Sequence, residues 1–485
     1  MISTVQRTPR VARATDWTEL ELGEGERSLR WGPTVAVLLV VIWAGGAVVG
    51  YTMALRIATV LSFGALVIGL RSPAIGLLGV MMLCIVDAPA RVYILTGGLL
   101  RWNTFNYWLL AMMVLYAPFI TRLRDGHSLV LMAFIALIGV EVLVSSDFAY
   151  GVQNVIGIAS VFGILIYFVR AGSDRRMWFW LSVNGGLMGA LGGLVFFLQR
   201  ASLPNINENA WAAFPLTALI SVVFGFPSAS AMRRGQPTLL VLAAINLVWI
   251  FLSGSRGNLL IGSLCFLLLL VGLTGTRQRT IALVCAGFMI LVAAVHFGKM
   301  QERAIHRITK LFTTEHGLAG NYTLSSRTSG RSDLAIGGWY IFQDHPFGVG
   351  TGGFPKAWSE LGVKYNLVYG RGEEKAAHSG WVKTLVENGA PGIVLLLIYV
   401  FSFAAVGLRQ RNWVLWRLGI LTTLAVSAAL LSTEFQTKAI WFLTAGATAF
   451  LHRGRLEEAM YGRPDEETRV SRGTQSPWSS ARGGP

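Results

Sequence analysis

The chain has 485 residues, of which 53% are hydrophobic and only 14% charged, and a mean hydropathy of +0.55. A soluble protein would carry roughly a quarter charged residues. The continuous apolar runs, about 18–20 residues each, are long enough to cross hydrocarbon and exclude an alternating β-barrel. The formal charge of +16 does not mark a nucleic-acid binder, because most arginines sit in short turns on alternate sides of these runs, as positive-inside topology requires.

Residues 1–32 are polar and mixed in charge, which predicts a disordered cytoplasmic tail. The first apolar run starts at Pro33, too far in for an ordinary cleaved signal peptide, and reads as a retained span. Predicted spans cover 33–51, 56–70, 73–90, 104–121, 128–145, 151–169, 177–198, 208–227, 237–253, 258–275, 279–297, 381–408, 412–432 and 435–452. The expected fold is all-α: a polytopic transmembrane bundle of about 14 helices. Eleven of them lie in 33–297 and three in 381–452, separated by a large outer loop over 298–380. Residues 453–485 read as a second cytoplasmic tail, rich in Gly, Ser and Arg.

With the N-terminus inside, the inner turns carry Arg71, Arg122, Arg124, Arg170, Arg175, Arg176, Arg233, Arg234, Arg277, Arg279, Arg409, Arg411 and Arg417. The outer turns are poor in basic residues apart from Arg101, Arg200 and Arg256. The region 73–103 is interrupted by Asp87, Pro89 and Arg91, so 92–103 has a re-entrant segment as an alternative. Cys84, Cys265 and Cys285 all fall in apolar runs and read as small core residues.

Inside the outer loop, 300–311 has helical spacing of apolar residues with basic residues between, and reads as a continuation of span eleven or an interfacial segment. Leu334–Phe342 predicts a short helix capped by Ser329 or Ser332 and ended by Pro346 and the following glycines. Residues 379–388 predict another short helix, stopped at Asn388–Gly389. Gly348, Gly350 and Gly353 match G-x-G-x-x-G, but no βαβ unit surrounds them, so a tight turn is expected rather than a dinucleotide site.

Three residues stand out as candidates. Arg256 lies in the tight turn Ser253-Gly-Ser-Arg-Gly257, on the side where arginine is disfavoured; its guanidinium fork matches phosphate oxygens. Arg331 precedes a predicted helix, whose free N–H groups favour an anion. His378 precedes another, where an imidazole near cationic arginines has its charged form disfavoured and suits a general base. Arg327, Arg200 and Ser255 are secondary candidates. Nothing ties His296, His306, His316 or His345 to an anion site. Asp87 and Arg91, and the outer-end charges Glu141, Glu208, Glu434 and Lys438, read as structural pairs. The sequence has no Asp-x-Asp, no His/Glu pair at metal spacing and no P-loop, so the expectation is no metal and no cofactor.

The turn Ser253-Gly-Ser-Arg-Gly257 resembles the Ser-Arg-Gly signature of the O-antigen ligase and O-antigen polymerase superfamily. So does Arg331-Ser-Asp-Leu with the helix after it and the ending Pro346-Phe-Gly-Val-Gly350, and so does Ala377-His-Ser-Gly-Trp through Gly389. Ser379 stands where the family usually has Asn. The resemblance covers about 240–400 and implies a fold related to the GT-C class. It implies a metal-independent glycosyltransferase of the bacterial inner membrane, acting at the periplasmic face on a glycan carried by undecaprenyl diphosphate. By the match, Arg256 and Arg331 hold the diphosphate leaving group, and His378 positions or deprotonates the acceptor hydroxyl. The first expectation is a ligase with lipid A core or another surface acceptor. The second is a polymerase of O-antigen or exopolysaccharide, whose acceptor is another lipid-linked repeat. A flippase for lipid-linked oligosaccharide is the alternative from another class. It would place charges along the bundle interior, where the sequence has few.

Overall fold

The structure is a computed structural model that describes residues 60–61, 63–85, 104–143, 145, 148–172, 175–199, 208–229, 235–253, 256–271, 331–364, 377, 379–410, 412–432 and 438–461. Every regular element among them is an α-helix. Ahead of the long loop come α1 (Pro73–Ile85), α2 (Thr104–Leu115), α3 (Ala117–Arg122), α4 (Gly126–Val142), α5 (Phe148–Ala171), α6 (Arg175–Gln199), α7 (Glu208–Ala229), α8 (Gly235–Ser253) and α9 (Arg256–Val271). Within the loop lie α10 (Arg331–Asp344) and α11 (Phe354–Lys364). After it come α12 (Gly380–Glu387), α13 (Gly389–Arg409), α14 (Trp413–Ser432), α15 (Lys438–Leu451) and α16 (Arg453–Tyr461).

Among the described residues, Gly151–Ala171, Gly235–Ser253 and Gly389–Arg409 are long and apolar enough to cross a membrane, and five further apolar helices are shorter. The predicted spans 33–51 and 279–297 lie outside the described residues. So do Asp87, Arg91 and the alternative re-entrant segment 92–103. The predicted span 104–121 is not one helix. It breaks at Tyr116, where α2 ends, and α3 restarts with a proline in its first turn, the position where a missing N–H costs nothing. The polar stretch after 452 also does not begin as a tail: α16 buries Leu456 and Ala459 against the bundle.

Lipid is as apolar as leucine, so burial adds little to helix association in a bilayer; close packing and interhelical hydrogen bonds must do it. The helices follow that rule. Gly189 of α6 sits against Ala218 of α7 and Asn246 of α8, and Gly407 of α13 crosses Gly419 of α14 backbone to backbone. Asn246 donates to the Gly186 carbonyl at 2.9 Å, and Thr423 of α14 donates to the Val400 carbonyl of α13 at 2.9 Å.

These contacts also fix direction. Gly225 of α7 meets Ser182 and Trp178 of α6, so α7 runs back along α6; Gly186 and Gly193 of α6 meet Leu242 and Trp249, so α8 runs with α6. Gly262 of α9 meets Ile250 and Leu247, so α9 returns along α8 from the end at which α8 stops. The bundle thus has two distinct ends. One collects Arg71, Arg122, Arg124, Arg170, Arg409, Arg417, Arg453 and Arg455 at helix termini and turns. There Arg170 donates to the carbonyls of Gly69 and Leu70 at 3.3 and 2.6 Å and lies over the Tyr116 ring, while Arg453 pairs with Glu457 at 2.9 Å. The opposite end carries α10, α11 and α12.

Candidate active site

The three short helices make a cap with its own small core: Leu334, Ile341, Phe354, Trp358, Ala377 and Val386, with Val349, Ala357 and Val382 packed on it. Gly338 of α10 lies against Val382 and Val386 of α12, and Gly337 lies against the Trp358 ring of α11. Absent side chains at 337 and 338 let α10 approach both neighbours closely. The amphipathic spacing of Phe354, Ala357 and Trp358 explains why α11 forms over the cap core.

The run Pro346–Gly353 ties the end of α10 to the end of α12 and, through Ala390, to the start of α13. Val349 and Gly350 donate backbone N–H bonds to the carbonyls of Val386 and Glu387, each at 3.0 Å, and Ala390 donates to Pro346 at 2.8 Å. Gly348 has φ +92, and a Cβ there would collide with the Glu387 carbonyl; Gly389 has φ +59 and faces the Phe347–Gly348 backbone just as closely. Only glycine combines that left-handed backbone with so close an approach. The G-x-G-x-x-G run is therefore a backbone-to-backbone docking turn, as the tight-turn expectation held.

Because this turn joins the C-terminal ends of α10 and α12, the two helices run side by side in the same direction. Their first residues, Arg331 and Gly380, lie at the same end of the pair. The cap at Ser332 is corrected: α10 already starts at Arg331, so Ser332 lies in its first turn. Ser379 caps α12, its Oγ accepting from the Val382 N–H at 3.5 Å while donating to the Leu430 carbonyl of α14 at 3.0 Å. Trp381 Nε1 donates to the Ser427 carbonyl of the same helix at 3.2 Å. Serine and asparagine are both good N-caps, so Ser379 keeps the capping capacity of the asparagine usual in the family it resembles.

The third face of α12 is polar. Gly380, Lys383, Thr384 and Glu387 repeat at helical spacing and, with Asn154, Thr351 and Asn388, line a small cleft floored by Phe134, Ile138 and Ile158. Sequence reading missed this stripe; its signal was the i, i+1, i+4 spacing of Lys383, Thr384 and Glu387, one turn after Gly380. Beside it a carboxylate from α4 joins the parts. Glu141 Oε2 accepts from Asn388 Nδ2 and from Thr351 Oγ1, and Asn388 Nδ2 also reaches Thr351 Oγ1 at 3.1 Å. Ser145 donates to the Thr351 carbonyl. Glu141 is thus structurally partnered as expected, though by an amide and a hydroxyl rather than an opposite charge.

The turn 253–257 places Arg256 as the first residue of α9, and Arg331 is the first residue of α10. Both starts lie at the cap end of the bundle, where the N–H groups of a helix's first turn add positive potential. The side chains of Arg256 and Arg331, and all of His378, Arg327, Arg200 and Ser255, lie outside the described residues. His378 stands in sequence between Ala377, buried in the cap core, and Ser379, the cap of α12. Among the described residues no three His, Cys, Asp or Glu side chains are placed to share a metal ion.

Residues 238–397 match the family model of O-antigen ligase. The match runs from α8 into α13 and contains the 253–257 turn, the docking turn and all three cap helices. No curated protein matches the chain.

Proposed function

We propose that this chain, which belongs to the O-antigen ligase superfamily through residues 238–397, transfers a preassembled glycan from undecaprenyl diphosphate to an acceptor hydroxyl. The acceptor is lipid A core or another surface acceptor, and the reaction takes place at the periplasmic face of the inner membrane. The observation that carries this reading is the shared placement of the starts of α9, α10 and α12 at one end of the bundle, opposite the arginine-rich end. Positive-inside topology makes the arginine-rich end cytoplasmic and the cap periplasmic.

In this reading His378 takes the proton of the acceptor hydroxyl as its oxygen bonds the anomeric carbon of the donor. The bond from that carbon to the diphosphate breaks, and the charge left on undecaprenyl diphosphate is held by Arg256 and Arg331. Each arginine brings a cation to the positive potential at a helix start, and charge held ready there lowers the reorganisation needed at the moment of reaction. General-base help is worth on the order of 10²–10⁴ in rate, and losing one charge-stabilising donor costs roughly 10²–10³.

The test uses purified protein in a bilayer mimic, a defined undecaprenyl diphosphate glycan, and two acceptors offered separately: lipid A core and a second lipid-linked repeat. His378→Ala, Arg256→Ala and Arg331→Ala should each cut transfer at least 10²-fold in protein that keeps its helical content. A folded His378→Ala or Arg256→Ala variant working at wild-type rate removes the site assignment. Transfer to the second lipid-linked repeat in place of lipid A core makes the enzyme a polymerase.

A further inference from the structure

We infer that Glu141 of α4 is a positioning residue: its carboxylate seats the docking turn and the α12–α13 junction, and so fixes where the helix following His378 sits on the bundle. The inference rests on the transferase reading above and adds to it a residue that lies outside the 238–397 family match.

The geometry singles out one atom. Oε2 of Glu141 receives Asn388 Nδ2 from the α12–α13 junction and Thr351 Oγ1 from the docking turn, and those two groups also bond each other at 3.1 Å. Asn388 and Thr351 are 37 residues apart in sequence and are both buried. The same stretch of α4 meets the turn a second time. Ser145, just beyond it, donates to the Thr351 carbonyl, and Gly350 lies close to the Glu141 carbonyl and the Ser145 backbone. The cap's apolar core can hold α10, α11 and α12 to one another, but it contains no residue of α4. Ser379 and Trp381 tie α12 to α14 on one side; Glu141, with Ser145 beside it, ties the docking turn and the far end of α12 to α4 on the other. A helix fixed from two sides cannot rock about its axis, and rocking α12 would move the base at its start.

This role separates from ground-state binding. Arg256 and Arg331, which hold the diphosphate in the proposed reaction, stand on α9 and at the opposite end of the 14-residue α10 from the turn that Glu141 grips. Loosening α12 should therefore lower kcat more than it raises KM, because a displacement of about 1 Å at a reacting group costs on the order of 10²-fold in rate. Glutamine keeps an amide oxygen that can accept from both Asn388 and Thr351, whereas alanine keeps neither bond.

The test compares Glu141→Ala, Glu141→Gln and Thr351→Val in full-length protein in nanodiscs, by transfer kinetics and amide hydrogen exchange. Glu141→Ala should lower kcat roughly 10–100-fold with KM held within about threefold. Glu141→Gln should return kcat to within about fivefold of wild type, and Thr351→Val should fall between them. Exchange in 346–353 and 379–388 should speed up about tenfold or more in Glu141→Ala while α14 stays unchanged. Unchanged exchange overturns the seat. Faster exchange with wild-type kcat, or a loss that Glu141→Gln shares in full, overturns the positioning role. If wild-type protein transfers no glycan to either acceptor, the transferase reading fails and the catalytic role falls with it, while exchange still decides the seat.

Discussion

The main bundle and the cap are both helical, yet they are held together differently. The bundle core runs through nearly every long helix, from Leu66 to Ala459, with Phe162, Phe168, Trp441 and Phe442 fully buried. Among the described residues the cap core has six buried side chains, and the cap meets the bundle largely through directional contacts: the docking turn, the Ser379 and Trp381 bonds to α14, and the bonds of Glu141 and Ser145. Distributed packing tolerates exchange of one apolar shape for another; a seat made of a few directional bonds does not. The region that carries the proposed chemistry is thus the one whose position depends on single groups.

Gly348→Val tests that contrast most severely. It forces a β-branched residue to φ +92 and drives its side chain into the Glu387 carbonyl. Backbone strain of about 1–3 kcal/mol plus the collision should undock the turn. Transfer should drop at least 10²-fold while circular dichroism retains the helical signal of the bundle. Retained transfer would mean that the docking turn does not govern the site.

Ser379→Ala comes next. Loss of an N-cap costs about 1 kcal/mol and here also removes the bond to Leu430; limited proteolysis or exchange should show α12 loosened. Ser379→Asn should restore the cap, and a variant pair that behaves alike would show that the capping bond is immaterial. The smallest effect belongs to the bundle. Leu219→Met, at a fully buried site, conserves volume and should cost less than about 1.5 kcal/mol in thermal unfolding, leaving transfer at the wild-type rate.

Much of this architecture is legible in the sequence. The tight turn after Ser253 is where α8 gives way to α9, the glycine run is a turn, and the short helix ends at Asn388–Gly389 as its residues predict. These features rest on local chemistry: glycine φ, capping serine, apolar run length. What escaped depends on chain segments far apart. Glu141 reads as an ordinary end-of-span charge until Asn388, 247 residues later, is placed beside it. The polar face of α12 gains meaning only from the apolar floor that α4 and α5 put beneath it. The break at Tyr116 was hidden because apolar composition is continuous across it. α11 was hidden in the opposite way, since a short amphipathic helix inside a polar loop has too little apolar sequence to stand out.

The bonds from Ser379 and Trp381 to α14 also set an order of assembly. The cap core closes within residues 334–386, whereas two of its anchors are the carbonyls of Leu430, 51 positions after Ser379, and Ser427, 46 positions after Trp381. Chains are made N-terminus first, and units fold as their residues emerge. The cap helices can pack on one another and on the end of α4 while α14 is still being synthesised, and the second side of α12 is fixed only when that helix has entered the membrane. A chain stalled before residue 427 would therefore expose a cap that is folded and held on its α4 side alone, and the bonds to α14 would form as the last helices of the bundle, with Trp441 and Phe442, complete its core.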